Sequence, residues 1–154
     1  MLAKHIPIAT ERLLLDRFRK DDWSDFYAIE VSPEQHRFTA ESYKPSAEDR
    51  TRDYIFALSE VDYDALEYGF ILAVRLKETP RLIGFAGFQN GLLKPNAQAE
   101  VFYSIAKDFW NRGYGTEAVV GLLRFGFEVL DLHRIVAYCD AENAASRRLL
   151  EKAG

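Results

Sequence analysis

The chain contains one cysteine, Cys139, among its 154 residues. No disulfide can form within it, and a reducing compartment, the cytoplasm, is the expectation. Histidine is scarce as well. His5, His36 and His133 lie far apart and, with one cysteine, give no metal-ligand spacing, so no metal is expected. An excess of positive charge is also lacking: 20 Lys and Arg face 24 Asp and Glu, a net charge of −4. Nucleic acid is thereby excluded as a main partner, because its phosphates require a basic face. Apolar stretches are interrupted by Arg, Glu or Asp, so no membrane span or membrane partner is expected. The opening segment MLAKHIPIATERLLLDRF lacks a signal-peptide core of sufficient length. No repeat or low-complexity segment is visible.

What remains is 48% hydrophobic, 14% aromatic and 29% charged. That composition suits one globular domain over residues 1–154 with a substantial core, and the length is too short for two full domains. ERLLLDRFR (Glu11–Arg19) reads as an imperfectly alternating strand. A helix follows in KDDWSDFYAIEV, with Asp21 or Asp22 able to cap it. A second helix opens at Pro45 and Ser46 and aligns Tyr54, Leu58 and Val61 on a stripe. YGFILAVRL and RLIGFAGF read as two strands of a hairpin around KETPR. AEVFYSIA (Ala99–Ala106) is a further strand. Its alternation puts Val101, Tyr103 and Ile105 on one face and Glu100, Phe102 and Ser104 on the other.

Then comes WNRGYGTEAVVGLLRFGF, a glycine turn running into a helix from about Thr116 to Leu130. The helix is apolar almost all round, which predicts burial against a sheet. HRIVAYCDA reads as a strand and NAASRRLLEKAG as a helix. Strand, turn, helix, strand, helix is the order of a right-handed crossover between parallel strands in an α/β chain. Glycine usually stands just past a helix end, where the chain goes on. An end at Gly154 would leave the Arg134–Ala141 strand with an open edge, and more strand is expected from the natural protein or its partner.

A strand leading through Gly113-Tyr114-Gly115 into a helix N-terminus is a potential anion site. Glycines let several N–H groups converge, and the first helical turn adds unpaired donors and the positive dipole end. Arg112 adds a positive charge. The turn lacks the Lys-Ser/Thr of a P-loop and the third glycine of a dinucleotide fingerprint. Alone, it is equally a tight strand-to-helix turn whose glycines serve geometry.

The context adds more. AEVFYSIAKDFWNRGYGTEAVVGLLRFGFEVLDLHRIVAYCDAENAASRRLLEKAG closely resembles the signature half of the GNAT superfamily of N-acetyltransferases. It looks most like the ribosomal-protein N-terminal acetyltransferase branch, the RimJ/RimL type. TERLLLDRFRKDDW resembles that branch's opening strand and helix, and RLIGFAGF its third strand. The resemblance implies a GNAT fold, a mixed twisted sheet flanked by helices, whose last two strands would follow Gly154. It implies acetyl transfer from acetyl-CoA to an amine acceptor, a peptide N-terminus or a small molecule, by a monomer or homodimer. It places the CoA pyrophosphate on the amides of Asn111, Arg112, Gly113, Tyr114, Gly115 and Thr116. Trp110 stands at the motif's first position, as is usual for the RimJ/RimL type. Pantetheine would lie beside Phe102, Tyr103, Ser104 and Ile105, with the N–H of Ser104 or Ile105 polarising the thioester.

Acyl transfer needs a base for the amine, a donor for the thioester oxygen and an exit for the thiolate. A terminal α-amine, with a pKa of roughly 7.7–8.0, is about one-tenth neutral at pH 7 and needs modest help. Glu100 is the candidate base by the resemblance, with a solvated strand-end carboxylate as the alternative. Asn143 matches a CoA-contacting Asn, and is equally an N-cap. The Tyr that serves many GNAT enzymes as thiolate acid is Leu150 here, and Ser146, one turn earlier, matches the alternative acid of the RimJ/RimL type. Ser146 is otherwise an ordinary early-helix hydroxyl. Cys139 reads as a small buried hydrophobe. Tyr138 and Trp110 read as packing residues and His133 as structural. His36, Phe38 and Tyr43 fall in the region that covers the acceptor in the family. A non-catalytic acyl-CoA-binding regulatory module is the competing reading, and nucleotide binding at the glycine turn is disfavoured.

Overall fold

The computed structural model describes residues 1–38, 44–91 and 98–154. Tyr43 lies outside the described residues. Among the described residues six strands form one mixed sheet in sequential order: β1 (Ile8–Ala9), β2 (Leu13–Asp16), β3 (Phe70–Leu76), β4 (Leu82–Gln89), β5 (Gln98–Ile105) and β6 (Arg134–Val136). Neighbours are antiparallel except β5 and β6, which are parallel. The predicted hairpin is β3–β4, and the predicted parallel crossover is β5–β6, joined through the helix after the glycine turn. The architecture is a mixed α/β fold, as expected.

The helices are α1 (Trp23–Glu30), α2 (Glu48–Ser59), α3 (Tyr114–Glu128) and α4 (Ala144–Ala153). They cover opposite faces of the sheet. On one face α3 packs on a core that includes Leu13, Leu15, Leu72, Val101, Ile105, Leu122 and Phe125. On the other, α1 and α2 bring Phe26, Ile29 and Ile55 against Ala73 and Leu82. The alternation of β5 explains why it serves both: Val101 and Ile105 are buried toward α3, while Phe102 and Ser104 pair with Gly87 and Phe85 on the α1–α2 face. Paired residues share a face of the sheet.

Several elements differ from expectation. The first strand is cut to Leu13–Asp16 because Thr10 and Arg12 turn the chain, the Thr10 N–H donating to Leu13 O at 3.0 Å. Asp22 stands at the N-cap of α1, as expected, but its side chain makes no cap bond there; the carboxylate is shared between Arg75 and the Arg19 N–H. The helix expected from Pro45 begins at Glu48, and it buries Thr51 and Ile55 while Tyr54 stays partly exposed. α3 starts two residues early and ends two early, and Phe127 and Val129 face outward rather than into a sheet. β6 stops at Val136 instead of reaching Ala141, since its ladder with β5 ends at the Glu100–Val136 pair.

Arg75 is the polar anchor of this frame. It is 2% exposed, and the register of β3 against β4 shifts between Val74 and Arg75. Its guanidinium donates to both carboxylate oxygens of Asp22, one at 2.7 Å, and to Pro80 O at 3.0 Å. Asp22 also accepts the Arg19 N–H at 2.7 Å. A buried charge pair is tolerated only with such added hydrogen bonds.

Candidate active site

Beyond β5 the chain makes a short 3-10 turn, Lys107–Phe109, pinned by Trp110, whose indole N–H donates to Ile105 O at 2.6 Å. Asn111 (φ 59°) and Gly113 (φ 81°) then adopt left-handed conformations and deliver the chain into α3. Gly113 is the N-cap and supplies no side chain, so the N–H groups of Tyr114, Gly115 and Thr116 have no intrahelical acceptor. The turn is exposed, with Asn111, Arg112 and Gly113 all open to solvent. A Cβ on Gly113 would be strained in this conformation and would approach Arg12 Nη2 to 3.3 Å. Gly115 has a second reason to be glycine. A Cβ there would sit 2.6 Å from Leu149 Cδ1, so its absence lets α4 approach α3.

One cluster was not legible in the sequence. Glu117, in the first turn of α3, accepts from Thr10 Oγ1 (2.6 Å), the Arg12 N–H (2.6 Å) and Arg12 Nε (2.7 Å). Arg12 also donates to Arg112 O at 2.9 Å and lies 4.4 Å over the Tyr114 ring. Burial pushes the Glu117 carboxyl up, but the Thr10 and Arg12 hydrogen bonds outweigh it and hold the carboxyl below its usual range. Arg12 thus neutralises a carboxylate beside the helix N-terminus and braces the turn. The partners are separated by 105 residues, and no local pattern links them.

The parallel ladder runs Gln98–Arg134, Ala99–Ile135 and Glu100–Val136 and then ends. Phe102 to Ile105 therefore continue with a strand partner on the β4 side alone, and β5 and the chain after β6 splay apart. Ala106 N–H donates to Ile83 O at 2.8 Å, so by alternation the Ser104 N–H also points into the β4 ladder. The amide directed to the splay is that of Ile105, which narrows the two donors expected. The β4–β5 register runs from Gly84–Ile105 to Gln89–Glu100 without a bulge.

Across the splay on the α3–α4 side, the Tyr103 hydroxyl meets Ser146 Oγ at 2.5 Å. Burial pushes the Tyr103 phenol up, opposed by the hydrogen bond from Ser146. Asn143 is the α4 N-cap, its Oδ1 accepting the Ser146 N–H at 3.0 Å. That bond fixes the turn of helix that carries Ser146. The sequence reading took Tyr103 only as part of a strand against pantetheine; its hydroxyl is a new member of the site. Leu150 follows one turn later, with no hydroxyl.

On the opposite face, Glu100 accepts from Gln89 Nε2 (2.9 Å) and Asn90 Nδ2 (2.7 Å). Both donors line a cavity of about 740 Å³ between α1, α2 and the sheet, as does Phe102. Ser104 Oγ donates to Gln35 Oε1 at 3.0 Å, and Gln35 Nε2 returns to Ile105 O at 2.7 Å. The 3-10 turn Pro33–His36 is thereby clamped to the end of β5, together with a Lys107–Glu34 ion pair. Hydrogen bonds from Lys107, then Ser32, hold the Glu34 carboxyl down at about 2. His36 in the same turn contacts Glu30 O, and Arg37 stacks 5.3 Å from the Phe38 ring.

Glu100 and Ser146 therefore stand on opposite faces of β5 and are not in one hydrogen-bonded group. Cys139 is exposed, not buried, and Tyr138 is 78% exposed, not packed, because the chain has left the sheet after Val136. His133 is exposed as well. Among the described residues no group of three or more His, Cys, Asp or Glu side chains is placed to hold a metal ion, and no helix is long and apolar enough to cross a membrane.

A parallel strand pair opened by a splay, with a glycine turn and bare helix N-terminus at its end, is an α/β geometry that suits an anionic group at the helix N-terminus. Comparison with known proteins specifies the class. Residues 12–154 match the acetyltransferase (GNAT) domain family. The chain is 32% identical over 142 residues to the uncharacterized N-acetyltransferase p20 of Bacillus licheniformis, covering 92% of this chain and 77% of that protein. It is similar in structure to a GNAT-family acetyltransferase from Bacillus anthracis, with TM-score 0.78, 26% identity, and coverage of 95% and 81% of the two chains. A putative ribosomal-protein-serine acetyltransferase from Vibrio cholerae gives TM-score 0.76 and 25% identity, with coverage of 96% and 81%. The chain belongs to the GNAT acetyltransferase family, and it is an acetyl-CoA-dependent N-acetyltransferase.

Proposed function

We propose that the enzyme acetylates a primary amine in a single ternary complex, and that the amine is the α-amine of a peptide or protein N-terminus ahead of a small free amine. The observation that carries this reading is the division of β5 into two working faces beside its unpaired stretch. The Glu100 carboxylate and the cavity lie on one face, and the Tyr103–Ser146 hydroxyl pair lies on the other. The similarity to the putative ribosomal-protein-serine acetyltransferase supports a RimJ/RimL-type assignment and a protein N-terminus as acceptor.

The residues present fit CoA. The bare first-turn amides of α3, reached through Gly113, suit a pyrophosphate, and Arg112 adds charge from an exposed position. Asn111, Tyr114, Gly115 and Thr116 complete the turn. The open edge from Phe102 to Ile105 suits a strand-like amide chain, which would find backbone partners there. Asn143 orients the start of α4 beside it. Bound acetyl-CoA supplies an acyl thioester to the site.

The chain's own groups divide the remaining work. Glu100 Oε takes the proton of the incoming ammonium, directly or through water, and its Gln89 and Asn90 hydrogen bonds orient it. The Ile105 N–H, directed into the splay, donates to the oxygen on which charge develops. Ser146 Oγ passes a proton to the departing sulfur as it takes one from the hydrogen-bonded Tyr103 hydroxyl, whose proton solvent restores. An α-amine, partly neutral at pH 7, suits a base held by two amides and needing to do little.

The test is thiol release on mixing the protein with acetyl-CoA and a panel of peptides and small amines, alongside calorimetric titration with CoA. Release dependent on a peptide N-terminus is the expected result. CoA binding with no release for any amine would contradict the proposed transfer and favour a binding module.

A further inference from the structure

This inference rests on the acetyl-transfer reading above and names the acceptor class for the same site. We infer that the acceptor carries a bulky apolar side chain, aromatic by preference, on the carbon bearing or next to its primary amine.

The cavity on the Glu100 face has a volume of about 740 Å³. That is within the roughly 300–1,000 Å³ typical of sites that enclose whole small ligands. Its floor is the sheet surface at Ile71, Phe85 and Phe102, where Gly87 stands in the row of Ile71 and Phe102 and Gly69 just precedes β3, both without side chains. Neither glycine can be replaced without a clash, since a Cβ would fall 1.9 Å from Phe70 O or 2.2 Å from Phe88 O. The sheet therefore cannot fill this space from below. The helix wall is Phe26 and Tyr54.

These rings already form contacts with each other. Phe26 lies 4.9 Å from Phe85 and 6.0 Å from Tyr54. A further ring entering between the wall and the floor extends an existing aromatic cluster. Most of the lining is apolar or aromatic; Glu30, Ser46 and Thr51 are polar groups of its helix side, the Tyr63 hydroxyl donates to Ile71 O at 3.0 Å, and Gln89 and Asn90 hold Glu100. So the interior recognises by apolar contact, and the polar end is at the rim, with the Glu100 carboxylate. A ligand with a cationic amine at one end and an apolar body at the other matches this polarity. A first residue as small as Ser or Ala leaves water against the rings.

The experiment compares peptides identical except for a first residue of Phe, Leu, Ser or Ala, by thiol release with acetyl-CoA. In parallel, each peptide is titrated without acetyl-CoA and chemical shifts are followed at Tyr54 and Phe102. The expected kcat/KM for Phe and Leu exceeds that for Ser and Ala by roughly tenfold or more, the scale set by filling an apolar pocket. Tyr54→Ala, on a partly exposed helix face, should narrow that ratio. Equal rates, or a preference for Ser, would overturn the inference while leaving acetyl transfer intact. Shifts at Tyr54 and Phe102 with Phe peptide, but thiol release with none, would support the apolar pocket and sink the transfer reading. No shift with any peptide would overturn the pocket assignment.

Discussion

Replacing Arg12 with Ala should weaken CoA binding even though the proposed cradle is made of backbone amides. Glu117 lies in the first turn of α3, and Arg12 is its ionic partner, with Nε 2.7 Å from Oε2. Without Arg12 a part-buried carboxylate stands unneutralised about one helical turn, roughly 5 Å along the axis, behind the N-terminus. Against each unit of phosphate charge at about 8 Å, that carboxylate costs about 0.5 kcal/mol at a dielectric of 80 and about 2 kcal/mol at 20. The expected loss in CoA affinity is therefore roughly two- to thirtyfold, and added salt should shrink it. Isothermal titration with CoA at two salt concentrations measures it. The decisive comparison is the double variant Arg12→Ala with Glu117→Gln, which removes the charge and should recover most of the affinity. If the double variant binds as weakly as Arg12→Ala alone, the charge argument is wrong. Arg12 would then act through its hold on Arg112 O and Tyr114, that is, through the shape of the turn.

Other perturbations test other parts of the account. Glu100→Gln should lower the transfer rate most at acidic pH, where the amine is most protonated; an unchanged pH–rate profile would remove Glu100 from the mechanism. Ser146→Ala and Tyr103→Phe should each slow acetyl transfer in single-turnover experiments, by up to roughly a hundredfold for the former. Normal single-turnover rates in Ser146→Ala would end the acid assignment. Arg75→Ala strands the buried Asp22 carboxylate and should destabilise the fold by about 3–5 kcal/mol in urea unfolding, whereas an exposed pair such as Lys20–Glu60 should contribute far less. Glu34 and Glu117 are both held below their ordinary carboxyl range, so the stability they lend is fully present above about pH 4.5. It is lost as pH falls, toward about 2 for Glu34. Acid titration of unfolding should show Lys107→Ala reducing that dependence, and an identical curve would refute the link.

The sequence was most informative where one short segment carries both periodicity and punctuation. Gly113 and Gly115, between an alternating strand and an apolar helix, located the turn, and the observed φ of 81° at Gly113 is what a glycine there permits. The two faces of β5 followed from its alternation alone. What failed was set by partners far away in the chain. β6 ends at Val136 because β5 leaves it there, which nothing in RIVAYCDA signals, and Cys139 and Tyr138 are exposed for the same reason. Asp22 does take the N-cap position of α1, but its carboxylate binds Arg75, 53 residues away, which no local pattern signals. Tyr103 was assigned to a strand, and Ser146 to a helix, before the fold joined their hydroxyls. Arg12 was read only as part of the opening strand, and the packing of β2 beside α3 brings it to Glu117.

The central claim is that this acetyltransferase modifies a peptide α-amine. Mass spectrometry of a peptide bearing both a free N-terminus and an internal lysine, after incubation with acetyl-CoA and the enzyme, tests it most directly. The account predicts a single acetyl group, located by fragmentation at the α-amine. Acetylation at the lysine side chain, or an unmodified peptide under conditions where a small amine is acetylated, would contradict it.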